Sequence, residues 1–490
     1  MPDILTLDVG TSSVRALLFD GRACEIDGVG AQLPYQVTTT HDGGVEVDAE
    51  HLAGLAFAAL DEACRQSRSA GRRPAAVAIC TFWHNVLGVE GEGKPATPVL
   101  HLFDTRAAAA ARALAARIDA RAQHARTGCV LHPSYLPAKL LWLAECRPEA
   151  FRAGRQWMSL GEYLSLRLFG KAAASVSMVS GSGLWNQNAN DYDPEILSLL
   201  PIGSDQLSPR GEMDRPLAGL LPEFRRRWPE LAEIPWFPAW GDGACNNVGS
   251  GCITPGRFSL MVGTSGAMRA VFEREHIEIP DGLWCYRVDR RRFVLGGALS
   301  NGGNVYAWMR RTLALPGDPE VERVLAGMAP GSHALTVVPL FAGERSTGWR
   351  PEARAAIAGM SIDTTPLEIL RAALEAVALR FRNIYELMAE RLGAPEQIVA
   401  SGGALLSSRA WTQMMADALG RPVVACLERE ASSRGAALLA LERIGAIAHI
   451  RDLPARMGEA FEPVREHSGI YQEMLEKQRR LYRKLFEESW

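Results

Sequence analysis

The tetrapeptide Val9-Gly10-Thr11-Ser12 recurs as Val262-Gly263-Thr264-Ser265, an offset of 253 residues in a chain of 490. Each copy follows a short apolar run, Ile4 to Leu7 and Phe258 to Met261. Each is followed by residues suited to a returning strand, Val14 to Phe19 and Met268 to Phe272. The pattern predicts strand, tight Gly-Thr-Ser turn, strand, in both places. A chain with this repeat is expected to fold as two similar halves, residues 1–245 and 246–490, with a cleft between them.

The remaining chain alternates helical and strand signals, which favours an α/β fold. Residues 48–68 read as a helix with Asp48 near its N-cap, and 75–80 as a buried strand. Helices are expected over 105–117, 139–145, 366–391, 407–419, 432–444 and 472–488, and short strands over 335–340 and 397–400. The segment 200–238, rich in proline and charge, reads as surface excursions.

Composition narrows the function classes. The 53 Lys plus Arg nearly balance 56 Asp plus Glu, for a formal net charge of -3. Such a balance carries no electrostatic footprint for nucleic acid or an anionic membrane. No apolar run reaches the length of a membrane span. The nine cysteines are scattered without a C-x-x-C, and the N-terminus has no basic leader, so a cytoplasmic protein with reduced thiols is expected. The histidines form no zinc-binding motif.

The 46 glycines concentrate attention on three turns, at 10–13, 263–266 and 402–403. A Gly-Thr-Ser turn between strands can aim backbone N–H groups and hydroxyls at phosphate oxygens. Each such turn alone is also an ordinary hairpin turn; two matched copies favour phosphate binding. There is no Walker-type G-x-x-x-x-G-K-[ST] and no G-x-G-x-x-G. Asp8 precedes the first turn, where a carboxylate is placed to hold Mg²⁺; a turn-capping role is the plainer alternative. Asp242, between Gly241 and Gly243, would reach a cleft wall and could accept a proton from a substrate hydroxyl, although Asp-Gly is also a common turn pair. Trp83-His84 suits a sugar, by stacking and hydrogen bonding. Asp104 and Arg106 offer a charged pair able to fork onto hydroxyls or a carboxylate.

These motifs, in this order and over nearly the full length, resemble the FGGY carbohydrate kinases. Asp8 to Ser13 resembles the family's first phosphate loop, Gly263 to Gly266 its second, and Gly241-Asp242-Gly243 its catalytic-base segment. Gly343-Glu344-Arg345 and Ala355 to Glu375 also have counterparts. The resemblance implies two domains of the ribonuclease-H-like fold shared by actin, sugar kinases and heat-shock ATPases, with ATP and sugar bound between them. It implies Asp242 as general base and Asp8 as the Mg²⁺ residue. Gly10, Thr11, Ser12, Ser13, Gly263, Thr264, Ser265, Gly303, Gly402, Gly403 and Ser407 would contact ATP. Trp83, His84, Asp104, Arg106 and Asp242 would contact the sugar.

Within the family the chain looks most like gluconate kinases, on Ser182 to Asn186, Trp284-Cys285-Tyr286 and Ser300 to Gly303, with xylulose kinases next. Departures are Leu136, Arg350 where many members carry Asp, and Phe103 beside the expected sugar site. A small sugar or sugar-acid substrate is expected, gluconate first because Arg106 could pair with a carboxylate. A homodimer is compatible with these features. An actin-like ATPase and a sugar-binding pseudokinase are the rivals of another class.

Overall fold

The computed structural model describes residues 2–209, 211 and 213–488. The first repeat is a hairpin, β1 (Asp3–Val9) against β2 (Ser13–Phe19), with Val9 opposite Val14. The Gly10 N–H closes the turn on the Ser13 carbonyl at 3.0 Å. β3 (Glu25–Pro34) adds antiparallel to β2. α1 (Ala49–Ser69) follows, capped by Asp48, whose carboxylate accepts the His51 N–H at 2.7 Å. Its buried Leu52, Ala53, Ala56, Ala59, Leu60 and Ala63 recur at helical spacing and cover one sheet face. β4 (Pro74–Thr81) and β5 (Trp236–Gly241) then pair in parallel, giving the order β5-β4-β1-β2-β3. β5 runs straight into α2 (Asp242–Gly249).

The second half repeats this plan. β6 (Arg257–Val262) and β7 (Gly266–Glu273) form the second hairpin. β8 (Trp284–Arg287) and β9 (Arg292–Leu299) follow antiparallel, then α3 (Gly303–Thr312) and α4 (Pro366–Leu392). A capping box between Thr365 and Glu368, with Pro366 in the first turn, starts α4. β10 (Gln397–Ser401) lies parallel to β6, and a short α5 (Gly403–Leu406) leads to α6 (Arg409–Leu419). β11 (Val423–Cys426), α7 (Ala431–Arg443), β12 (Met457–Phe461) and α8 (Ser468–Phe486) complete the chain. The order is β8-β9-β7-β6-β10-β11-β12. Within it β9-β7-β6-β10-β11 copies β3-β2-β1-β4-β5: three antiparallel strands, then two parallel ones. The 253-residue repeat is therefore a repeat of topology.

Three details differ from expectation. The segment 200–238 is not simply surface: Leu207, Leu217, Phe224, Trp228, Leu231 and Trp236 are buried. Phe224 and Trp228 pack on Phe57 of α1, which is why a proline-rich stretch crosses a core helix. The helix expected over 105–117 covers only Ala108–Ala115. Ser407 does not open α6; Ser408 caps it, accepting the Trp411 N–H at 3.0 Å.

α7 packs against the first sheet, with Ala436 to Leu441 buried in its core. It crosses α2 backbone to backbone. A Cβ on Gly435 would lie 1.8 Å from the Cys245 carbonyl oxygen, and one on Gly249 1.8 Å from that of Ala431. Among the described residues no helix is long and apolar enough to cross a membrane, and no cluster of three or more metal-ligating side chains occurs. All nine cysteines are free.

Candidate active site

The two hairpin turns face one cavity of about 210 Å³, with Thr11 of the first and Ser265 of the second both on its wall. Tyr35 braces the first turn: its N–H donates to the Ser12 carbonyl at 3.0 Å and its hydroxyl to that of Gly10 at 2.6 Å. The second is braced by α3, since the Gly303 and Asn304 N–H groups donate to the Gly263 and Thr264 carbonyls. A Cβ on Gly10 would meet nothing closer than 3.4 Å, and one on Gly263 nothing closer than 4.0 Å. Both backbones are thus open to an approaching ligand. Ser12 and Thr264 are exposed, whereas Ser13 is buried under the turn.

Asp8 ends β1 beneath the first turn and is 3% exposed. Burial raises its carboxyl pKa to about 6, against the pull of the Cys80 thiol and of Arg15, 3.7 Å away. Its Oδ1 is buried without a hydrogen-bond partner. Asp242 is close enough for its charge to add to the rise. An orphaned carboxylate oxygen beside a second carboxylate fits a divalent cation. Only two protein carboxylates suit Mg²⁺, which keeps waters and substrate phosphates as its other ligands.

Asp242 is the first residue of α2 and partly open to the cleft. Its Oδ1 accepts the Gly243 N–H at 2.7 Å. Burial raises its carboxyl pKa, opposed first by the positive charge of Arg269. The flanking glycines are required by Trp83. A Cβ on Gly241 would lie 2.0 Å from the indole, and one on Gly243 2.6 Å from it. Gly-Asp-Gly is therefore a strand-to-helix junction with an indole laid across it, rather than a turn.

Trp83 is held by an Nε1–H donation to the Ser177 carbonyl at 2.9 Å and is 5% exposed, so it contributes an edge of the cavity wall. His84 adopts φ +61, a conformation strained for a non-glycine residue. Lys139 secures it: its Nζ donates to the carbonyls of His84 at 2.6 Å and His101 at 2.8 Å. Burial lowers the Lys139 pKa to about 7. Trp284 and Tyr286 stack at 4.5 Å and bring β8 into the wall, and Tyr286 shares a 2.6 Å hydroxyl contact with Tyr135. Phe103, 52% exposed, stands at the mouth.

Asp104 and Arg106 are not in the wall. Arg106 donates to Asp104 at 2.5 Å and to Glu46 at 2.7 Å, and lies over the Trp142 ring. Both side chains are buried, so the fork expected to meet a substrate is closed on itself. The cavity instead holds Arg269 and Arg345, which the sequence reading did not single out as substrate contacts.

A second opening of about 380 Å³ adjoins the first, sharing Met261, the residue that replaces Asp8 in the repeat. Gly402, Gly403, Leu406, Leu427 and Arg429 line it. Gly402 has φ +91 and leaves no room for a Cβ over the Val262 backbone, whereas Gly403 is open. Gly303 is tied to Gly263 and packed on Ala404, and the exposed Ser407 hydroxyl turns back to the Ala404 carbonyl at 3.1 Å. Neither of these two lines the opening. Leu406 and Leu427 do, and are 40% and 50% exposed.

Burial keeps three imidazoles, His84 in the cavity wall and His101 and His132 outside it, neutral, lowering the pKa values of His84 and His132 to about 3 and of His101 to about 4. The unfolded chain takes up these protons first, near pH 6.5, so stability should fall as pH drops from there towards 3. Each imidazole contributes a slope of about 1.4 kcal/mol per pH unit. Urea midpoints measured at several pH values, for the wild type and His132→Gln, should show a shallower acid slope in the variant.

The family model for the N-terminal domain of the FGGY family of carbohydrate kinases matches residues 4–249, and that for the C-terminal domain matches 259–442. The gluconokinase of Bacillus subtilis (strain 168) is 25% identical over 96% of this chain and 94% of its own. The glycerol kinase of Alcanivorax borkumensis is 28% identical over 92% of each. Among solved structures, a ligand-bound xylulose kinase from Lactobacillus acidophilus superposes with a TM-score of 0.90 at 25% identity, covering 99% of this chain and 98% of that one. A gluconate kinase from the same organism gives 0.91 at 24%, with the same coverage.

Proposed function

Because the chain belongs to the FGGY family of carbohydrate kinases, we propose that it transfers the γ-phosphoryl group of ATP to a hydroxyl of a sugar acid, gluconate in the first instance. The observation that carries this reading is the convergence of Thr11, Ser265 and Asp242 on one cavity. In this reading Asp242 accepts the hydroxyl proton as the oxygen attacks phosphorus, and ADP leaves. The hydroxyls of Thr11, Ser12, Thr264 and Ser265 and the open backbones at Gly10 and Gly263 would face the phosphates, in turns already held in place, which is what phosphoryl transfer asks of a protein; Ser13 lies beneath the turn and supports it. Leu406 and Leu427 offer apolar faces to the adenine beside Gly402 and Gly403. Asp8 and Asp242 would hold Mg²⁺, which neutralises phosphate charge when bound. The chain divides, on this reading, into domains of residues 1–245 and 246–490.

A ketopentose or polyol acceptor is the second reading, favoured by the xylulose kinase likeness and the glycerol kinase relatives. Coupled ADP release against gluconate, xylulose, ribulose and glycerol separates the two. Turnover with gluconate supports the first; turnover with a ketopentose and none with gluconate reverses the order. ATP hydrolysis indifferent to every acceptor would point to an ATPase instead. For Asp8→Asn, half-maximal activity should require at least about tenfold more Mg²⁺, from loss of a charged ligand. An unchanged Mg²⁺ titration would remove Asp8 from the metal site.

A further inference from the structure

The other strongly buried arginines among the described residues each have a charged or carbonyl partner. Arg106, Arg292, Arg371 and Arg380 each pair with a carboxylate, and Arg287 and Arg434 donate to backbone carbonyls. Two guanidiniums depart from this pattern, and both line the acceptor cavity. Arg269 is 8% exposed, and its Nη1 is buried without a partner. Arg345 is half-buried. Neither side chain makes an ion pair or hydrogen bond among the described residues.

Both are built into place. Arg269 leaves the middle of β7 between two glycines: a Cβ on Gly296 would lie 3.0 Å from its Cγ, and one on Gly243 3.6 Å from its Cζ. Arg345 follows Glu344, which is buried in an ion pair with Arg380 and accepts the Tyr482 hydroxyl at 2.6 Å. The loop carrying Arg345 is thereby anchored, while its guanidinium is left free.

The wall holds one carboxylate, Asp242, against these two cations, and His84 is neutral. Two cations facing one carboxylate leave a net positive charge in the wall, which an anion entering the cavity would neutralise. Arg269 is the cation that acts most strongly on Asp242. Arg345 acts on His84, His132, Tyr135 and Tyr286, at the aromatic end of the cavity. Both guanidiniums thus share the cavity wall with the base and with the aromatic side chains Trp83, Trp284 and Tyr286.

We propose that Arg269 and Arg345 together hold the carboxylate of an open-chain sugar acid, so that the cavity selects an acid over the polyol or ketose of equal length. This rests on the kinase reading above. Planar guanidinium donors suit a carboxylate better than a single hydroxyl.

The test compares gluconate with glucitol, which carries a hydroxymethyl group in place of the carboxylate, using wild type, Arg269→Leu and Arg345→Leu. Each variant should raise the gluconate KM by about ten- to a hundredfold, the effect of losing a charge-assisted hydrogen bond. Glucitol turnover should change far less, so the preference for gluconate collapses. Arg269→Lys and Arg345→Lys should recover part of the gluconate affinity. Equal losses of kcat on both acceptors would assign the guanidiniums to the transferred phosphoryl group and overturn the proposal. So would a wild type indifferent between the two acceptors. Calorimetric titration of gluconate without ATP decides the matter independently of turnover: binding lost in both leucine variants supports the proposal, and binding retained overturns it. Absence of ADP release with every acceptor would instead count against the kinase reading.

Discussion

Asp242→Asn is expected to lower kcat by at least about a hundredfold, the lower range for removal of a general base, while ATP still binds. The carboxylate stands at the N-terminus of α2, partly open to the cavity that Thr11 and Ser265 also line. Burial and the Arg269 charge act on it in opposite directions. Asparagine matches its shape and can still accept the Gly243 N–H bond, but it cannot take a proton from a hydroxyl. The glycines on either side and the indole across them should be undisturbed, so a large loss of kcat that persists at saturating Mg²⁺, with an intact fold, isolates the proton transfer from metal binding. Steady-state kinetics with a calorimetric ATP titration checks both halves of this expectation. Turnover near wild type would remove Asp242 from the chemistry.

Gly435→Val should destabilise the protein by about 3 kcal/mol, the upper part of the usual range for overpacking. The new side chain would be driven into the Cys245 carbonyl, 1.8 Å from the Cβ position, and that carbonyl belongs to the helix carrying Asp242. Neither partner is a flexible side-chain end, so α7 has to move off α2. Gly54→Ala is the contrast, because nothing lies within 4 Å of its Cβ position in α1. That change should stabilise by about 0.5–1 kcal/mol through helix propensity. Urea midpoints followed by tryptophan fluorescence distinguish the two, and equal midpoints would show that the α2–α7 crossing tolerates a side chain.

The parts of the site that were legible in the sequence are those whose chemistry is local. A strand, a Gly-Thr-Ser turn and a returning strand form a short unit, so both hairpins and their equivalence could be read from the repeat. Asp242 was legible from its glycine neighbours, although the reason for them, the Trp83 indole, lies about 160 residues away in the chain. The mutual pairing of Asp104 and Arg106 was not legible, because Glu46 completes it from a distant strand. Arg269 carries a signal in the sequence, a lone charge in the otherwise apolar run Ala267 to Phe272. Leu406 and Leu427 carried none, since an apolar residue is conspicuous only once it is found exposed at a cleft. The crossing of Gly249 and Gly435 likewise exists only after folding brings α2 and α7 together.

The most direct measurement follows the γ-phosphoryl group itself. Wild-type protein is incubated with γ-labelled ATP, Mg²⁺ and gluconate, and the products are separated and identified by mass. The predicted result is label in a phosphate monoester of gluconate, formed in step with ADP and lost in Asp242→Asn. Label recovered only as inorganic phosphate, with the sugar acid unchanged, would contradict it.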